Sequence, residues 1–165
     1  MIKKIKLTNF KSFKDVTIDF TGANGVPKKS IFIYGENGSG KSNIVSSIVF
    51  LQYTISSLLA AQEIEKVINS DTNNLTIKNY EGLRTRLNCN IEQLVSNYKL
   101  IDSNENMKLH YELIINNKTA EYDIEFDDKG IVYESLYYPI FKNKVLIYEV
   151  KNIDEVFISD NLFKD

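Results

Sequence analysis

The chain has 165 residues, of which 43% are hydrophobic and 25% charged, and its formal net charge is −2. These values fit one domain, or one lobe of a larger one, and they exclude binding of nucleic acid through a strongly basic overall charge. A single cysteine, Cys89, excludes an internal disulfide and favours a reducing compartment. Neither a signal-peptide core nor a run of about 18 apolar residues is present, so we expect a cytoplasmic protein without a membrane partner.

The first 60 residues alternate predicted strands with turns before a long apolar helix. Residues 2–8 and 15–20 alternate apolar with polar side chains, which predicts two half-buried strands. Residues 31–34, with the sequence IFIY, are apolar throughout. They predict a strand buried on both faces, as in the core of a parallel sheet. Residues 41 to about 60 place apolar side chains at helical spacing, which predicts a helix that is largely buried.

The rest of the chain changes character twice. Residues 62–106 are rich in asparagine and contain short amphipathic pieces, so they predict an insertion of helices and loops. From residue 107 onward the hydrophobic period becomes two, and turn residues separate successive runs, which predicts an antiparallel meander. The only histidine, His110, has no neighbouring ligand at metal spacing and is interpreted as structural. The alternating runs of the predicted meander are 107–115, 122–126, 131–138 and 144–150.

A glycine-rich loop joins the apolar run at 31–34 to the predicted helix. Its sequence, GENGSGKS at 35–42, matches the P-loop pattern G-x-x-x-x-G-K-[ST]. Glycines allow the backbone to close around phosphate groups, and the helix start adds N–H donors and the positive end of the helix dipole. Lys41 brings an ammonium group to the β- and γ-phosphates, and Ser42 offers a hydroxyl to Mg²⁺. The predicted nucleotide-binding residues are Gly35, Glu36, Asn37, Gly38, Ser39, Gly40, Lys41, Ser42 and Asn43.

Two classes of P-loop protein, GTPases and small-molecule kinases, are disfavoured because the chain lacks their motifs. A GTPase reads its base with N-K-x-D, but Asn117-Lys118 is followed by Thr119-Ala120. Small-molecule kinases usually clamp phosphate with lid arginines, and this chain has only Arg84 and Arg86.

Residues 5–20, IKLTNFKSFKDVTIDF, together with the loop and its helix, resemble the opening of ABC-type ATPase heads. These include the RecF and structural-maintenance-of-chromosomes ATPases and the AAA-family ATPases related to the overcoming-lysogenization-defect nucleases. The stretch 122–138 resembles the β-rich segment of the defence-associated members. The shared pattern L-x-N-F-[KR]-S-F is filled here by Leu7, Asn9, Phe10, Lys11, Ser12 and Phe13.

The resemblance implies an α/β fold, the N-terminal lobe of a P-loop NTPase head with an antiparallel β-meander. It implies a Walker A nucleotide-binding core at 1–61, a helical and loop insertion at 62–106, and a β-rich segment of the same domain at 107–165. By the resemblance, Lys11, Ser12 and Phe13 lie beside the nucleotide. The implied ligands are ATP and Mg²⁺, and the implied partners are the rest of the ATPase or a second head in a dimer, with DNA as a further partner in DNA maintenance or phage defence.

Hydrolysis in these ATPases also needs a Walker B strand ending in Asp-Glu and a signature motif, and neither is evident in the sequence. The nearest Walker B pattern, VLIYE at 145–149, lacks the aspartate. Glu149 is then the nearest candidate for a catalytic carboxylate, and the catalytic residues stay unassigned. We therefore expect the N-terminal lobe of a longer ATPase, with little or no turnover by itself.

Two alternatives remain open at this point. One is a complete small P-loop phosphotransferase that uses Glu149 or Asp154 as its metal carboxylate. The other is a non-catalytic interaction module that docks through the tyrosines of the meander, namely Tyr133, Tyr137, Tyr138 and Tyr148.

Overall fold

The computed structural model describes residues 1–69, 91–141, 143–152 and 155–159, the side chains of 56–69 and 91–93 excepted. Cys89, Asp154 and residues 70–90 of the predicted insertion lie outside the described residues. The chain forms two compact units, one made of Met1–Tyr34 with Val95–Asp165 and the other of Gly35–Leu94.

The first unit is a seven-stranded sheet. Within the described ranges every neighbouring pair of strands is antiparallel, in the spatial order β2-β1-β3-β4-β5-β6-β7. The strands from β3 onward follow one another in sequence and in space, so the meander predicted from the period of two is confirmed. The strands are β1 (Ile2–Phe10), β2 (Phe13–Asp19), β3 (Met107–Ile115), β4 (Lys118–Phe126), β5 (Ile131–Ile140), β6 (Asn143–Lys151) and β7 (Glu155–Ile158).

The pairing of β1 with β3 builds the centre of the core. Leu7 lies opposite Leu109 and Ile5 lies opposite Tyr111, and all four residues are buried. Because side chains alternate between the faces of a strand, these residues share one apolar face of the sheet. The same face continues on β4 through Ile124, opposite Leu109.

Charged side chains on the opposite face pair across the strands. Nζ of Lys4 lies 2.8 Å from Oε1 of Glu112, and Nζ of Lys108 lies 3.0 Å from Oε2 of Glu125. Burial alone would raise the pKa of Glu112, but Lys4 and Lys3 together hold it below its ordinary value. Cross-strand ion pairs of this kind contribute roughly 0.2–1 kcal/mol each, so they favour the register more than they stabilise the fold.

His110 forms a similar cross-strand pair, and its stabilising effect depends on pH. Its Nδ1 lies 2.7 Å from Oδ1 of Asp123, and this hydrogen bond raises the pKa of the imidazole above 6.5, although burial acts in the opposite direction. Because the folded pKa is the higher one, the stabilisation is fully present below about pH 6.5. It is lost as the pH rises through the folded pKa.

An NMR titration of the His110 ring should therefore give a pKa above the ordinary value. Asp123→Asn should return the pKa to the ordinary range, because an amide does not stabilise the imidazolium as a carboxylate does. An unshifted pKa in the unchanged protein would contradict the pairing.

The second unit contains the glycine-rich loop and helix α1 (Lys41–Asn69), which extends beyond the predicted end near residue 60. Ser47, Phe50 and Leu51 are buried, whereas Val45 and Ile55 are exposed. The described part of α1 is thus buried on one side, and it is less buried than the sequence pattern predicted. No helix in the described ranges is both long and apolar enough to cross a membrane.

Helix α2 (Ile91–Tyr98) ends beside the turn between β1 and β2. The N–H of Lys11 donates to the carbonyl oxygen of Tyr98 at 2.6 Å, and the N–H of Leu100 donates to that of Asn9 at 2.9 Å. Two backbone hydrogen bonds therefore fix the end of β1 against the chain that leaves α2.

The strand predicted at 31–34 is not formed. All four residues are exposed, and Phe32 is 79% exposed. A strand needs a neighbour for its backbone N–H and C=O groups, and the described chain places no parallel strand beside this segment. The prediction of a strand buried on both faces is wrong here, because an apolar run does not itself supply the strands that would flank it.

Candidate functional site

Residues 35–40 form a loop that leads directly into α1. Gly38 and Gly40 adopt φ values of 85° and 89°, in the left-handed region that glycine enters without side-chain strain. The N–H of Ser39 donates to the carbonyl oxygen of Glu36 at 3.2 Å, so the loop turns back on itself before the helix begins. A side chain at Gly35 would place its Cβ 2.8 Å from Oγ of Ser39, so the close approach there requires glycine or a shift of the hydroxyl.

Backbone donors collect where the loop meets the helix. As far as the chain is described, the N–H groups of Gly38, Gly40, Lys41 and Ser42 have no protein acceptor. The first N–H groups of a helix lack intrahelical partners and carry the positive end of the helix dipole. An anion with several oxygens is the ligand that satisfies these donors best.

Lys41 supplies the positive charge of the loop. Its Nζ lies 2.7 Å from the carbonyl oxygen of Gly35, donates to that of Glu36, and lies 3.4 Å from Oγ of Ser39. Neutral oxygens therefore hold the ammonium group over the loop. Lys41 forms no ion pair with the carboxylates that the structure describes, so none of these carboxylates neutralises its charge.

Ser42 fits the role of a magnesium ligand that acts together with phosphate. It lies exposed in the first turn of α1, and its carbonyl oxygen accepts a hydrogen bond from Oγ of Ser46 at 3.0 Å. Mg²⁺ keeps several waters and usually takes only one or two oxygens from the protein beside substrate phosphates. The residues described contain no group of three or more His, Cys, Asp or Glu that could hold a metal.

The other predicted binding residues lie at the turn between β1 and β2, in the first unit. Lys11 has a φ of 53°, and its Nζ lies 4.5 Å from the ring centroid of Tyr98. Ser12 is exposed, and Phe13 is half-buried, opposite Phe10. The structure brings these three residues together at one turn, and their place beside a nucleotide stays a prediction.

Glu149 lies on β6 with both carboxylate oxygens engaged. Tyr133 donates its hydroxyl to Oε1 at 3.0 Å, and Nζ of Lys151 lies 2.8 Å from Oε2. The hydrogen bonds from Lys151 and Tyr133 lower the pKa of Glu149. These contacts explain the residue structurally and do not support a catalytic role.

Tyr98 is a contact of Lys11 that sequence reasoning did not predict. Its ring faces the ammonium group of Lys11 and lies 5.6 Å from the ring of Phe10, so it positions the turn that carries Lys11. The residue lies at the end of α2, the last apolar position of a short amphipathic piece of the predicted insertion. The amphipathic spacing marked Tyr98 as a packing residue, and it carried no sign of the contact with Lys11.

The loop, its lysine and the start of α1 together match the P-loop pattern of P-loop NTPases. Within that class, the family model of the RecF/RecN/SMC N terminal domain matches residues 1–135. The match covers more than half of the chain, which therefore belongs to this family. The resemblance predicted from residues 5–20 and the loop is thereby confirmed.

Two relatives agree with this assignment. Over 50 residues the chain is 50% identical to the chromosome partition protein Smc of Methanocaldococcus jannaschii, an alignment that covers 30% of this chain and 4% of that protein. Over 67 residues it is 34% identical to the Septu protein PtuA of Bacillus mycoides, which covers 41% of this chain and 9% of that protein. The alignments thus span only a small part of either relative's length.

Proposed function

We propose that the chain binds ATP with Mg²⁺ through its Walker A loop, residues 35–43. The observation that supports this most directly is the presence of two complementary elements in one short loop. Among the described residues, backbone N–H groups without protein acceptors lie at the start of α1, and the ammonium group of Lys41 contacts only neutral oxygens of the same loop. Both elements interact favourably with a chain of phosphates.

We further propose that this ATP-binding region acts within a cytoplasmic ATPase of DNA maintenance or phage defence. Membership of the RecF/RecN/SMC family supports an ATPase, and likeness to a chromosome partition protein favours DNA as its partner. The defence role is supported by the likeness to the Septu protein PtuA. In this proposal the rest of the ATPase, or a second head in a dimer, supplies the Walker B carboxylates and signature motif that hydrolysis needs.

Calorimetric titration of the folded chain with MgATP tests the binding step. We expect saturable heat with MgATP and none with adenosine, because the loop recognises phosphate rather than the base. Slow or absent single-turnover hydrolysis should accompany the binding. The absence of heat at millimolar MgATP would contradict the proposal, whereas steady turnover that is lost in Glu149→Gln would support the phosphotransferase alternative instead.

A further inference from the structure

The apolar face of the sheet is buried at β4 and exposed at the edge strand β7. Ile124 on β4 is buried, whereas Val156 and Ile158 on β7 are 60% and 52% exposed. Register places Val156 opposite Val150 and Ile158 opposite Tyr148 on β6, so these four side chains lie on one face. They form an apolar patch at the edge of the sheet, which we call the β6–β7 patch.

A carboxylate lies beside this patch. Glu134 on β5 is opposite Ile124 on β4 and opposite Val150 on β6, so it lies on the apolar face and not on the charged one. Its Oε1 accepts a hydrogen bond from the hydroxyl of Tyr122 at 2.9 Å and another from that of Tyr148 at 2.6 Å. Two tyrosines therefore fix the carboxylate at the border between the buried and the exposed part of this face.

The described residues supply no cation to Glu134. It takes part in none of the described ion pairs, and its Oε2 accepts none of the described hydrogen bonds. Lys118, which register also places on this face, lies at the other end of β4 and donates to the carbonyl oxygen of Pro139 at 3.0 Å. An ionised carboxylate in apolar surroundings is costly unless a cation pairs with it, so Glu134 would gain from an external one.

We propose that the β6–β7 patch docks a protein partner that presents an arginine among apolar side chains. The arginine donates to Oε2 of Glu134, and the apolar side chains cover Val156 and Ile158. Arginine suits this position better than lysine, because its guanidinium is less strongly hydrated and donates in a fixed geometry. The inference stands apart from ATP binding.

The charge of Glu134 disfavours the other occupants of such a patch. A second copy of this chain, placed on the patch by twofold symmetry, would bring two Glu134 carboxylates near each other. Nucleic acids and anionic membranes carry the same sign of charge as the carboxylate. A cationic protein segment is the occupant that adds attraction instead of repulsion.

A substitution that removes only the charge separates docking from folding. Glu134→Gln keeps an oxygen acceptor for the hydroxyls of Tyr122 and Tyr148. Because no described cation pairs with Glu134, the melting temperature should not fall by more than about 4 °C. A larger fall would show that the charge serves the fold, which would overturn the proposal. The measurement is made without nucleotide, so it does not depend on ATP binding.

Selection from a phage-displayed library of short random peptides tests the docking itself. The unchanged protein is the target, and Glu134→Gln is used for counter-selection. We expect peptides with arginine among apolar residues, and their affinity should fall about tenfold or more in Glu134→Gln and severalfold in Val156→Ser. Glu121→Gln is the matched control on the opposite face, where the carboxylate already pairs with Lys144, and it should bind the peptides normally.

A double-mutant cycle identifies the contact. Replacing the arginine of a selected peptide with glutamine should weaken binding to the unchanged protein about tenfold and should hardly affect binding to Glu134→Gln. Equal losses with the two proteins would mean that the arginine contacts another group, which would overturn the proposal. So would a selection that enriches no basic peptide, or binding of oligothymidine or phosphatidylserine vesicles that is lost in Val156→Ser.

Discussion

Replacing Lys41 with alanine is expected to abolish the stabilisation of the chain by MgATP. The ammonium group is the cation that the structure holds over the loop, and the alanine variant retains only the backbone donors. A ligand present at a hundred times its Kd stabilises the folded state by about 2.7 kcal/mol. For a chain of this size that corresponds to a rise of about 5–10 °C in melting temperature, which thermal unfolding with and without MgATP measures.

Lys129→Ala is the matched control for this experiment. Lys129 is exposed in the turn between β4 and β5, so the variant loses the same charge without touching the loop. It should keep the full shift with MgATP. In the absence of ATP, Lys41→Ala should melt close to the unchanged protein, because the contacts of Lys41 are solvent-exposed hydrogen bonds. A full MgATP shift in Lys41→Ala would exclude the loop as the binding site.

Phe10→Ala is expected to lower the free energy of unfolding by about 3–5 kcal/mol. Phe10 is fully buried at the end of β1, with its ring 5.6 Å from that of Tyr98. The substitution leaves a cavity beneath the turn that carries Lys11, and it removes the ring against which Tyr98 packs. Urea unfolding followed by circular dichroism measures the loss.

Phe32→Ala provides the comparison for the core substitution. It removes the same side chain from a position that is 79% exposed, so we expect a change within about 0.5 kcal/mol. Equal losses in the two variants would mean that the described burial of Phe10 does not stabilise the fold.

The strands of the meander were predictable because their local signals agree. In β4, buried Tyr122, Ile124 and Phe126 alternate with partly exposed charged residues, and Asn116-Asn117 forms the turn that precedes the strand. Each signal needs only a few neighbouring residues, so no knowledge of the whole fold is required.

The segment at 31–34 shows where such reasoning stops. Its four apolar residues carry the pattern of a buried strand, yet burial needs neighbouring strands that local sequence does not specify. The apolar pattern shows that the segment needs flanking strands for burial, and it does not show whether the chain supplies them.

Some features of the predicted binding residues could likewise be predicted from the sequence, and others could not. The spacing of the loop encodes its geometry, since Gly38 and Gly40 occupy positions of positive φ and Lys41 begins the helix. The contact between Lys11 and Tyr98 joins residues that are far apart in the chain, and no motif connects them. Short-range motifs were therefore predictable, and the tertiary contact that positions Lys11 was not.

The pairing of β1 with β3 also has a consequence for biosynthesis. At translation rates of about 5–20 residues per second, the ribosome needs roughly 5–20 s to make the stretch of about 100 residues between these strands. During that interval one edge of β1 has no strand beside it, and Ile5 and Leu7 lack the residues that lie opposite them on β3. Unpaired strand edges promote aggregation. The later strands pair with immediate neighbours as they emerge, so we expect chaperones to engage the nascent N-terminal hairpin first.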